Sequence, residues 1–162
     1  MSHAALPKNL MMYQQAARLP MGKRLFSKIL CQQAPYFSTI SPLVAQLAPA
    51  YCEVHVRNKR SIQNHLRTVH AIAMCNMAEL AGGLMTDVSI PTTHRWIPKG
   101  MTVEDLKKAT TDLIARATPL HADVDVDGSV AGEYPVEVKV FDAHQDVVFR
   151  AVIQMWVSPK KA

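Results

Sequence analysis

Residues 64–82 read NHLRTVHAIAMCNMAELAG, and they carry the clearest information about the fold. From residue 68 to residue 84 the chain is apolar almost all round a helical wheel, with Glu79 its one Asp, Glu, Lys or Arg. A helix that is apolar on all sides is buried in a protein rather than lying on its surface. The stretch therefore predicts a long central helix over residues 68–84, and Gly82-Gly83 near its end is typical of a C-terminal stop.

Glu79 is the first candidate for chemistry. A lone carboxylate among apolar residues is costly to bury in its charged form, so it either finds a partner or its pKa rises, which suits a general base or acid near neutral pH. Ile72, Cys75 and Asn76 share its helix face, which can line a pocket. Residues 68–71 begin the helix, where free N–H groups attract an oxyanion. A purely structural pairing of Glu79 with an Arg of another element stays open on spacing alone.

Two short helices are predicted before this stretch, over residues 8–18 and 21–33, with a break at Pro20 because proline lacks the N–H that an interior turn needs. Residues 1–52 carry five basic residues and no acidic one, whereas the rest of the chain has 13 of each. Without aromatic interleaving, a solvated helix face is a better interpretation than nucleic-acid binding. We expect a basic N-terminal helical arm at residues 1–24 and one domain over 25–162.

Period-two patterns predict strands on both sides of the central helix. Over residues 43–57 the alternation is clear towards the end, where Cys52, Val54 and Val56 are separated by polar residues. Residues 136–140 alternate in the same way, and after a turn at 142–146 a long strand follows from 147 to 157, which predicts an antiparallel hairpin. One buried helix with long antiparallel strands indicates an α+β domain in which a sheet wraps the helix.

Residues 102–117 are ambiguous from the pattern alone. Thr102 and Asp105 resemble a capping box, and apolar residues follow near helical spacing, so local propensity favours a helix.

Length and composition exclude several classes of protein. The chain has 162 residues, 49% hydrophobic and 19% charged, with a formal net charge of +5, which fits one domain and no disordered or disulfide-rich class. No apolar run reaches the roughly 18 residues that a membrane span requires. Cys31, Cys52 and Cys75 have no zinc-like spacing and no signal peptide precedes them, so we expect reduced thiols in a cytoplasmic protein.

The sequence gives little support for a bound metal. Asp123, Asp125 and Asp127 with Gly128 imitate the start of a calcium loop, but position 12, where the closing acid belongs, is Tyr134. A solvated hairpin loop is the better interpretation. The seven histidines include no pair at the His-x-x-x-His spacing of one helix face, since His65 and His70 are five residues apart.

The motif Asn64-x-x-Arg67-x-x-His70-Ala71 and the later Met77-Ala78-Glu79-x-Ala81-Gly82 resemble the hot-dog fold thioesterases of the phenylacetate-pathway type. Their pattern is Asn-x-x-Gly-x-x-His-Gly-Gly, four residues, then Leu-Ala-Asp, and it aligns here without a gap. Residues 34–37, 76–83 and 95–101 are similar to a poorly characterised bacterial subgroup of the same superfamily. The resemblance covers roughly residues 25–158.

The resemblance implies a curved antiparallel sheet wrapped around one long central helix, with residues 102–117 in a strand. We adopt the strand, because tertiary context overrides local propensity. It also implies a homodimer whose sheets join edge to edge, with a dimer of dimers left open, and an active site at the dimer interface.

The resemblance also assigns roles to residues. Glu79 takes the place of the catalytic acid, as general base or nucleophile, and Asn64 positions water or substrate from the other subunit. Ala71 offers its backbone N–H to the thioester oxygen, and His70 precedes it as in the family. The substrate is an acyl thioester of coenzyme A or of acyl carrier protein, with no metal or redox cofactor. Basic residues near these segments are candidates for the phosphates of coenzyme A: Arg57, Lys59, Arg60, Arg95 and Lys99.

The sequence departs from the family pattern at several positions. Arg67 replaces a Gly, Ala71-Ile72 replaces Gly-Gly, and Glu79 replaces an Asp. Some relatives have a Ser or Thr on the strand after the helix, and this position falls near Pro98, which has no hydroxyl. Two alternatives therefore stay open. One is a 3-hydroxyacyl thioester dehydratase using His65 and Glu79, although the proline-rich stretch typical after that His is missing. The other is a non-catalytic acyl-CoA-binding module.

Overall fold

The chain forms three α-helices, two short 3-10 helices and six strands in the computed structural model, which describes residues 6–121 and 131–160. The elements follow one another as α1 (Lys8–Ala17), α2 (Gly22–Gln33), η1 (Pro35–Ile40), β1 (Leu43–Ala48), β2 (Tyr51–Val56), η2 (Arg60–Ile62), α3 (Ala71–Ser89), β3 (His94–Asp105), β4 (Leu113–Pro119), β5 (Gly132–Phe141) and β6 (Val147–Pro159).

The six strands make one antiparallel sheet in the order β1-β2-β4-β5-β6-β3. Helix α3 packs against every one of them, so the sheet curves around it. This confirms the predicted sheet wrapped around one long helix, with short helices before it. The edges are β1 and β3, and β3 pairs with β6 along its whole length, from His94 opposite Pro159 to Asp105 opposite Phe149.

The alternation of β5 explains how the sheet covers the helix. Val136, Val138 and Val140 are fully buried on the face towards α3, while Glu137 and Lys139 lie on the other face. Strand β6 repeats the pattern and completes the predicted hairpin. These β-branched and aromatic residues suit a half-buried pleated surface, so local propensity and tertiary packing agree here.

Helix α3 begins and ends later than the sequence pattern indicated. It begins at Ala71 and continues through Gly82 and Gly83 to Ser89, so the prediction of a stop at the two glycines is wrong. A Cβ on Gly82 would lie 2.9 Å from Cδ1 of Ile153 in β6. The glycine is present because the sheet approaches the helix closely there, which a helix interior tolerates at a cost of about 1 kcal/mol.

Residues 102–117 contain no helix. Strand β3 runs to Asp105, an irregular connection follows, and β4 begins at Leu113. The strand implied by the family resemblance is confirmed, and the apparent capping box at Thr102 is part of a strand.

Residues 43–57 form two strands rather than one, because the chain turns at Ala50, which has a positive φ of 62°.

The predicted N-terminal helices are confirmed within one residue. Leu10, Tyr13 and Phe26 belong to the same hydrophobic core as α3, with the Tyr13 and Phe26 rings edge to face at 5.3 Å. The predicted limit of the arm at residue 24 falls inside α2, and it stays a prediction. None of the described helices combines the length and apolarity that crossing a membrane requires.

Candidate active site at the start of the central helix

A tight turn over residues 64–68 leads into α3, and Asn64 holds it together. Its Oδ1 accepts hydrogen bonds from the amides of Leu66 (2.9 Å) and Thr68 (3.2 Å), and its Nδ2 donates to Thr68 Oγ1 at 2.9 Å. Asn side chains favour such turns because they bond their own nearby backbone. Asn64 therefore shapes the loop that carries the candidate site.

Arg67 lies within this turn at a φ of 61°, in the left-handed region that favours glycine. The thioesterase pattern that the sequence resembles has Gly at this position, and the backbone here has a conformation that glycine favours. The side chain of Arg67 is exposed. The side chain of Arg67 thus adds no cost of burial, whereas the strain of a Cβ at this φ remains.

His70 caps the N-terminus of α3. Its Nδ1 accepts a hydrogen bond of 3.1 Å from the Ile72 amide, and its carbonyl accepts from the amides of Ala73 and Met74. The next residue, Ala71, is the first of the helix, where an N–H has no intrahelical acceptor. Within residues 6–121 and 131–160 that N–H makes no hydrogen bond. An unpaired donor thus stands at the positive end of the helix dipole.

A cavity of about 360 Å³, which we call the helix-start cavity, opens beside this terminus. Its walls come from η1, from residues 61–63 and from the first turns of α3, including His70, Ile72 and Asn76. The cavity is therefore lined by the residues on either side of Ala71, and it combines apolar and polar side chains.

Asn76 supplies a buried polar group to that cavity. Its Nδ2 donates to Thr39 Oγ1 at 3.1 Å and to the Tyr36 carbonyl at 3.4 Å. Thr39 gives its own proton to the Tyr36 carbonyl, so both neighbours act as acceptors and the orientation of the amide follows from them. The Oδ1 of Asn76 is buried and has no hydrogen-bond partner among the described residues. An unpaired buried oxygen of this kind is uncommon and destabilising.

Glu79 lies on the same helix face as Ile72 and Asn76, as the sequence predicts, but it is exposed. The expectation that this carboxylate is buried is wrong for a single chain, because the sheet does not cover this face. Eight residues separate it from Ala71, about 12 Å along a helix. One chain alone therefore does not bring the carboxylate and the Ala71 donor to one thioester carbon.

The three cysteines are free, as expected for reduced thiols. Cys75 is half-buried one turn before Glu79, and burial raises the pKa of its thiol, with a further contribution from the charge of Asp105. Burial also raises the pKa of Cys31 and of Cys52. None of them is poised as a thiolate nucleophile at neutral pH.

A larger cleft of about 1070 Å³ lies on the other side of η1. Four basic residues line it, and we call it the basic cleft: Arg24, Lys28, Arg57 and Lys59. Sequence reasoning identified Arg57 and Lys59 but assigned the other two to a solvated helix face. The i, i+4 spacing of Arg24 and Lys28 predicts a shared face, but only the packing of α2 against β1 and η1 shows what that face borders.

The remaining basic candidates lie elsewhere. Arg95 and Lys99 are exposed on β3, the opposite edge of the sheet from β1 and β2, and Lys99 is engaged with Glu133 (3.8 Å) and the Trp156 ring. Arg60 is exposed in η2 and lines neither cavity. Within one chain the five predicted phosphate ligands therefore do not form one group.

Glu53 of β2 is a buried carboxylate that does not itself line the basic cleft but is bonded to His55, which does. Glu53 accepts hydrogen bonds from His55 Nε2 (2.8 Å), Tyr51 Oη (2.9 Å) and Arg116 Nε (3.0 Å). Burial alone would raise the pKa of Glu53, but these bonds outweigh it and lower the pKa below its ordinary value of 4.5. The ionised Glu53 orients His55, which lines the cleft.

His65 is exposed in the turn before α3. No group of three or more His, Cys, Asp or Glu in the described part of the chain is arranged to hold a metal ion. The acidic loop at residues 123–128 lies outside the described residues.

A comparison with protein families matches residues 22–157 to the family described as "Domain of unknown function (DUF4442)". The chain belongs to this family. A comparison with curated proteins finds no match. One solved structure from structural genomics is 45% identical, covers 94% of this chain and 98% of its own, and superimposes with a TM-score of 0.81.

More distant structures agree on the fold. A protein of unknown function from Pseudomonas aeruginosa, named as a probable thioesterase, is 20% identical over 98% of this DUF4442 chain and 100% of its own, with a TM-score of 0.70. A thioesterase from Haemophilus influenzae is 13% identical over 80% and 86%, with a TM-score of 0.68. Several structural neighbours of this chain are titled thioesterases, and their likeness to it confirms the hot-dog fold expected from residues 64–82.

Proposed function

We propose that this protein hydrolyses acyl thioesters, releasing a free acid and the thiol of coenzyme A or of acyl carrier protein. The observation that carries the proposal is the unpaired Ala71 N–H at the start of a 19-residue helix, beside the helix-start cavity. In this role the N–H donates a hydrogen bond to the thioester oxygen as negative charge develops on it, and the helix dipole adds to the stabilisation. Fold similarity to thioesterases supports the same reaction class.

Glu79 is the carboxylate that we assign to the chemical step, as general base on water or as nucleophile. It is exposed on the helix face that also carries Ile72 and Asn76, so water and substrate can reach it. Asn64 acts by holding the loop that leads to His70 and Ala71, through the hydrogen bonds within that turn. His65 lies on the outside of the same loop, and we keep it as a substrate contact.

The site requires two chains in this proposal. The distance between Ala71 and Glu79 along α3 prevents both from acting on one thioester within one subunit. Strand β3 has 12 residues, and its outer edge pairs with no other described strand. Large apolar side chains are exposed on β3, as at Ile97, and near the start of α3, as at Leu66 and Ile72. A long unpaired edge favours pairing with another chain. We infer a homodimer joined at β3, with a dimer of dimers as a further possibility.

The partner of the reaction is thus a thioester, with no metal, redox cofactor, nucleic acid or membrane in the proposal. The cytoplasmic location also remains a proposal, and it rests on the three unpaired cysteines.

Substitution of Ala71 by proline tests the oxyanion role directly. Proline is favoured at the first position of a helix, and the backbone of His70 (φ −66°, ψ 138°) already has the extended conformation that a following proline requires. Ala71→Pro removes the N–H without breaking the helix. We expect kcat to fall by about 10²–10³, as for the loss of one oxyanion donor. Ala71→Ser keeps the N–H and is the matched control.

Glu79→Gln tests the carboxylate. Because the side chain is exposed and makes no hydrogen bond with any described residue, the melting temperature should stay unchanged while thiol release from short, medium, long and aromatic acyl-CoAs falls by about 10²–10⁴. Hydrolysis that survives in Glu79→Gln would remove Glu79 from the mechanism. Formation of an enoyl product instead of free thiol would favour the dehydratase, and binding without turnover would favour the non-catalytic module.

Mixing the two variants tests the interface. In a symmetric dimer, a heterodimer of Ala71→Pro and Glu79→Gln chains has one site that carries both changes and one native site if the residues act across the interface. Exchange of subunits should then restore about one quarter of native activity. If the mixture stays inactive after exchange, the two residues act from the same chain.

A further inference from the structure

The basic cleft is an unusual concentration of unpaired positive charge. Arg24 and Lys28 come from α2, Arg57 and Lys59 from the segment after β2, and all four line one concave surface. Arg24, Lys28 and Arg57 make no ion pair or side-chain hydrogen bond with any residue that the structure describes, and Lys59 donates only to the Ser41 hydroxyl. Cations held together without acids are suited to bind an anion of high charge.

The single carboxylate among the described residues that line the cleft does not neutralise the four cations. Asp112 accepts a hydrogen bond of 2.8 Å from the Asn58 amide, so it has a structural role in the loop before β4. His55 adds an imidazole held in place by Glu53. The balance in the cleft is therefore four cations against one engaged carboxylate.

Apolar side chains supply another part of the lining, and the cleft is large enough for an organic ligand. Ile40, Pro42, Leu43, Val56 and Ile114 form much of its walls, within a volume of about 1070 Å³. A small inorganic anion would leave most of that space empty. A cationic rim with apolar walls matches a nucleoside phosphate, whose base needs apolar contact and whose phosphates need cations.

The cleft also lies next to the candidate active site. Ile40 at the end of η1 lines both the basic cleft and the helix-start cavity. The segment from His55 to Gln63 borders the cleft at its beginning and the cavity at its end. A flexible arm that starts in the cleft can therefore pass over η1 and reach the start of α3.

We propose that the basic cleft binds the adenosine 3′-phosphate 5′-diphosphate of coenzyme A, with Arg24 and Lys28 of α2 as phosphate ligands beside Arg57 and Lys59. The inference rests on the proposed thioester hydrolysis and names its carrier: coenzyme A rather than acyl carrier protein. Acyl carrier protein delivers the same pantetheine arm from a protein surface but has no nucleotide to occupy a concave cleft. In this proposal helix α2, which lies outside the central helix and the sheet, distinguishes coenzyme A from acyl carrier protein by binding the phosphates of the nucleotide.

The test compares one acyl group on three carriers: coenzyme A, 3′-dephospho-coenzyme A and pantetheine. Native protein should have the lowest KM for the coenzyme A thioester. In the double variant Arg24→Glu/Lys28→Glu, KM for that thioester should rise about tenfold to hundredfold, as for the loss of charge-assisted bonds, with kcat kept. The KM for the pantetheine thioester should not change. Both residues are exposed, so the fold should persist.

Lys8→Glu is the matched control, because Lys8 is an exposed cation of the same N-terminal region that does not line the cleft. Calorimetric binding of adenosine 3′,5′-bisphosphate to the native chain, lost in the double variant, is a readout independent of turnover. If no thioester is hydrolysed but the bisphosphate binds, the cleft assignment stands and the hydrolase fails. Equal KM for coenzyme A and pantetheine thioesters without bisphosphate binding overturns the inference, as does a lower KM for acyl carrier protein.

Discussion

His70 Nδ1 accepts a hydrogen bond of 3.1 Å from the backbone amide of Ile72, so a histidine serves as the N-cap of the central helix. Most N-caps are Ser, Thr, Asp or Asn, whose short side chains reach the same amide. We expect His70→Ala to lower the free energy of unfolding by about 1 kcal/mol, because the Ile72 amide then loses its partner. His70→Asn should restore most of it. Urea denaturation measures both variants, and equal stability of the two would contradict the capping role.

The left-handed conformation of Arg67 predicts an unusual order of substitutions. At a φ of 61° a Cβ is strained and glycine is not, so Arg67→Gly should be more stable than Arg67→Ala by about 1 kcal/mol. Gln14, exposed inside α1, provides the comparison, since there alanine should be more stable than glycine by a similar amount. If urea denaturation finds the alanine variant more stable than the glycine variant at both positions, the turn must relax to a conformation in which a Cβ is not strained.

The two adjacent glycines of α3 should differ in their tolerance of alanine. A Cβ at Gly82 meets Ile153 Cδ1 at 2.9 Å and Val136 Cγ1 at 3.3 Å, both on fully buried side chains, whereas a Cβ at Gly83 meets the half-buried Trp96 ring at 2.8 Å. Overpacking a closed core costs about 1–3 kcal/mol. Gly82→Ala should therefore be less stable than Gly83→Ala, where helix propensity offsets the contact. Thermal unfolding measures the difference, and the reverse order would mean that the Trp96 ring yields less to a new methyl group than Ile153 and Val136 do.

The network around Glu53 predicts how stability depends on pH. Because hydrogen bonds lower the folded pKa below 4.5, this group contributes stability that is present above pH 4.5 and is lost as the pH falls through the lowered value. Glu53→Gln should cost about 1–3 kcal/mol at neutral pH and reduce the loss of stability in acid. Glu133→Gln, in an exposed pair with Lys99, should cost little at any pH. Equal pH profiles for native and Glu53→Gln would rule out the network as a source of acid sensitivity.

Local patterns predicted the elements whose packing agrees with their propensity. The alternating valines of β5 and the apolar run of α3 led to the right structure because both are buried on the face that their periodicity predicts. Residues 102–117 show the opposite case. Their apolar spacing favours a helix, yet β3 pairs with β6 along its full length, and the ladder hydrogen bonds outweigh a propensity of a few tenths of a kcal/mol per residue.

Some features of the candidate site could likewise be predicted from the sequence, and others could not. The motif from Asn64 to Ala71 indicated a loop that presents a free N–H at a helix start, because a turn and its cap are made by residues close in sequence. The exposure of Glu79 and the unpaired oxygen of Asn76 were not predicted, since each depends on what η1 and the sheet cover.

The central helix and the hot-dog fold could be predicted from the sequence, because short-range periodicity and a gap-free motif carry that information. Only the tertiary structure decided that Arg24 and Lys28 of α2 join Arg57 and Lys59 around one cleft. These residues are about thirty positions apart in the chain, and electrostatic grouping depends on distance in space rather than on separation in sequence.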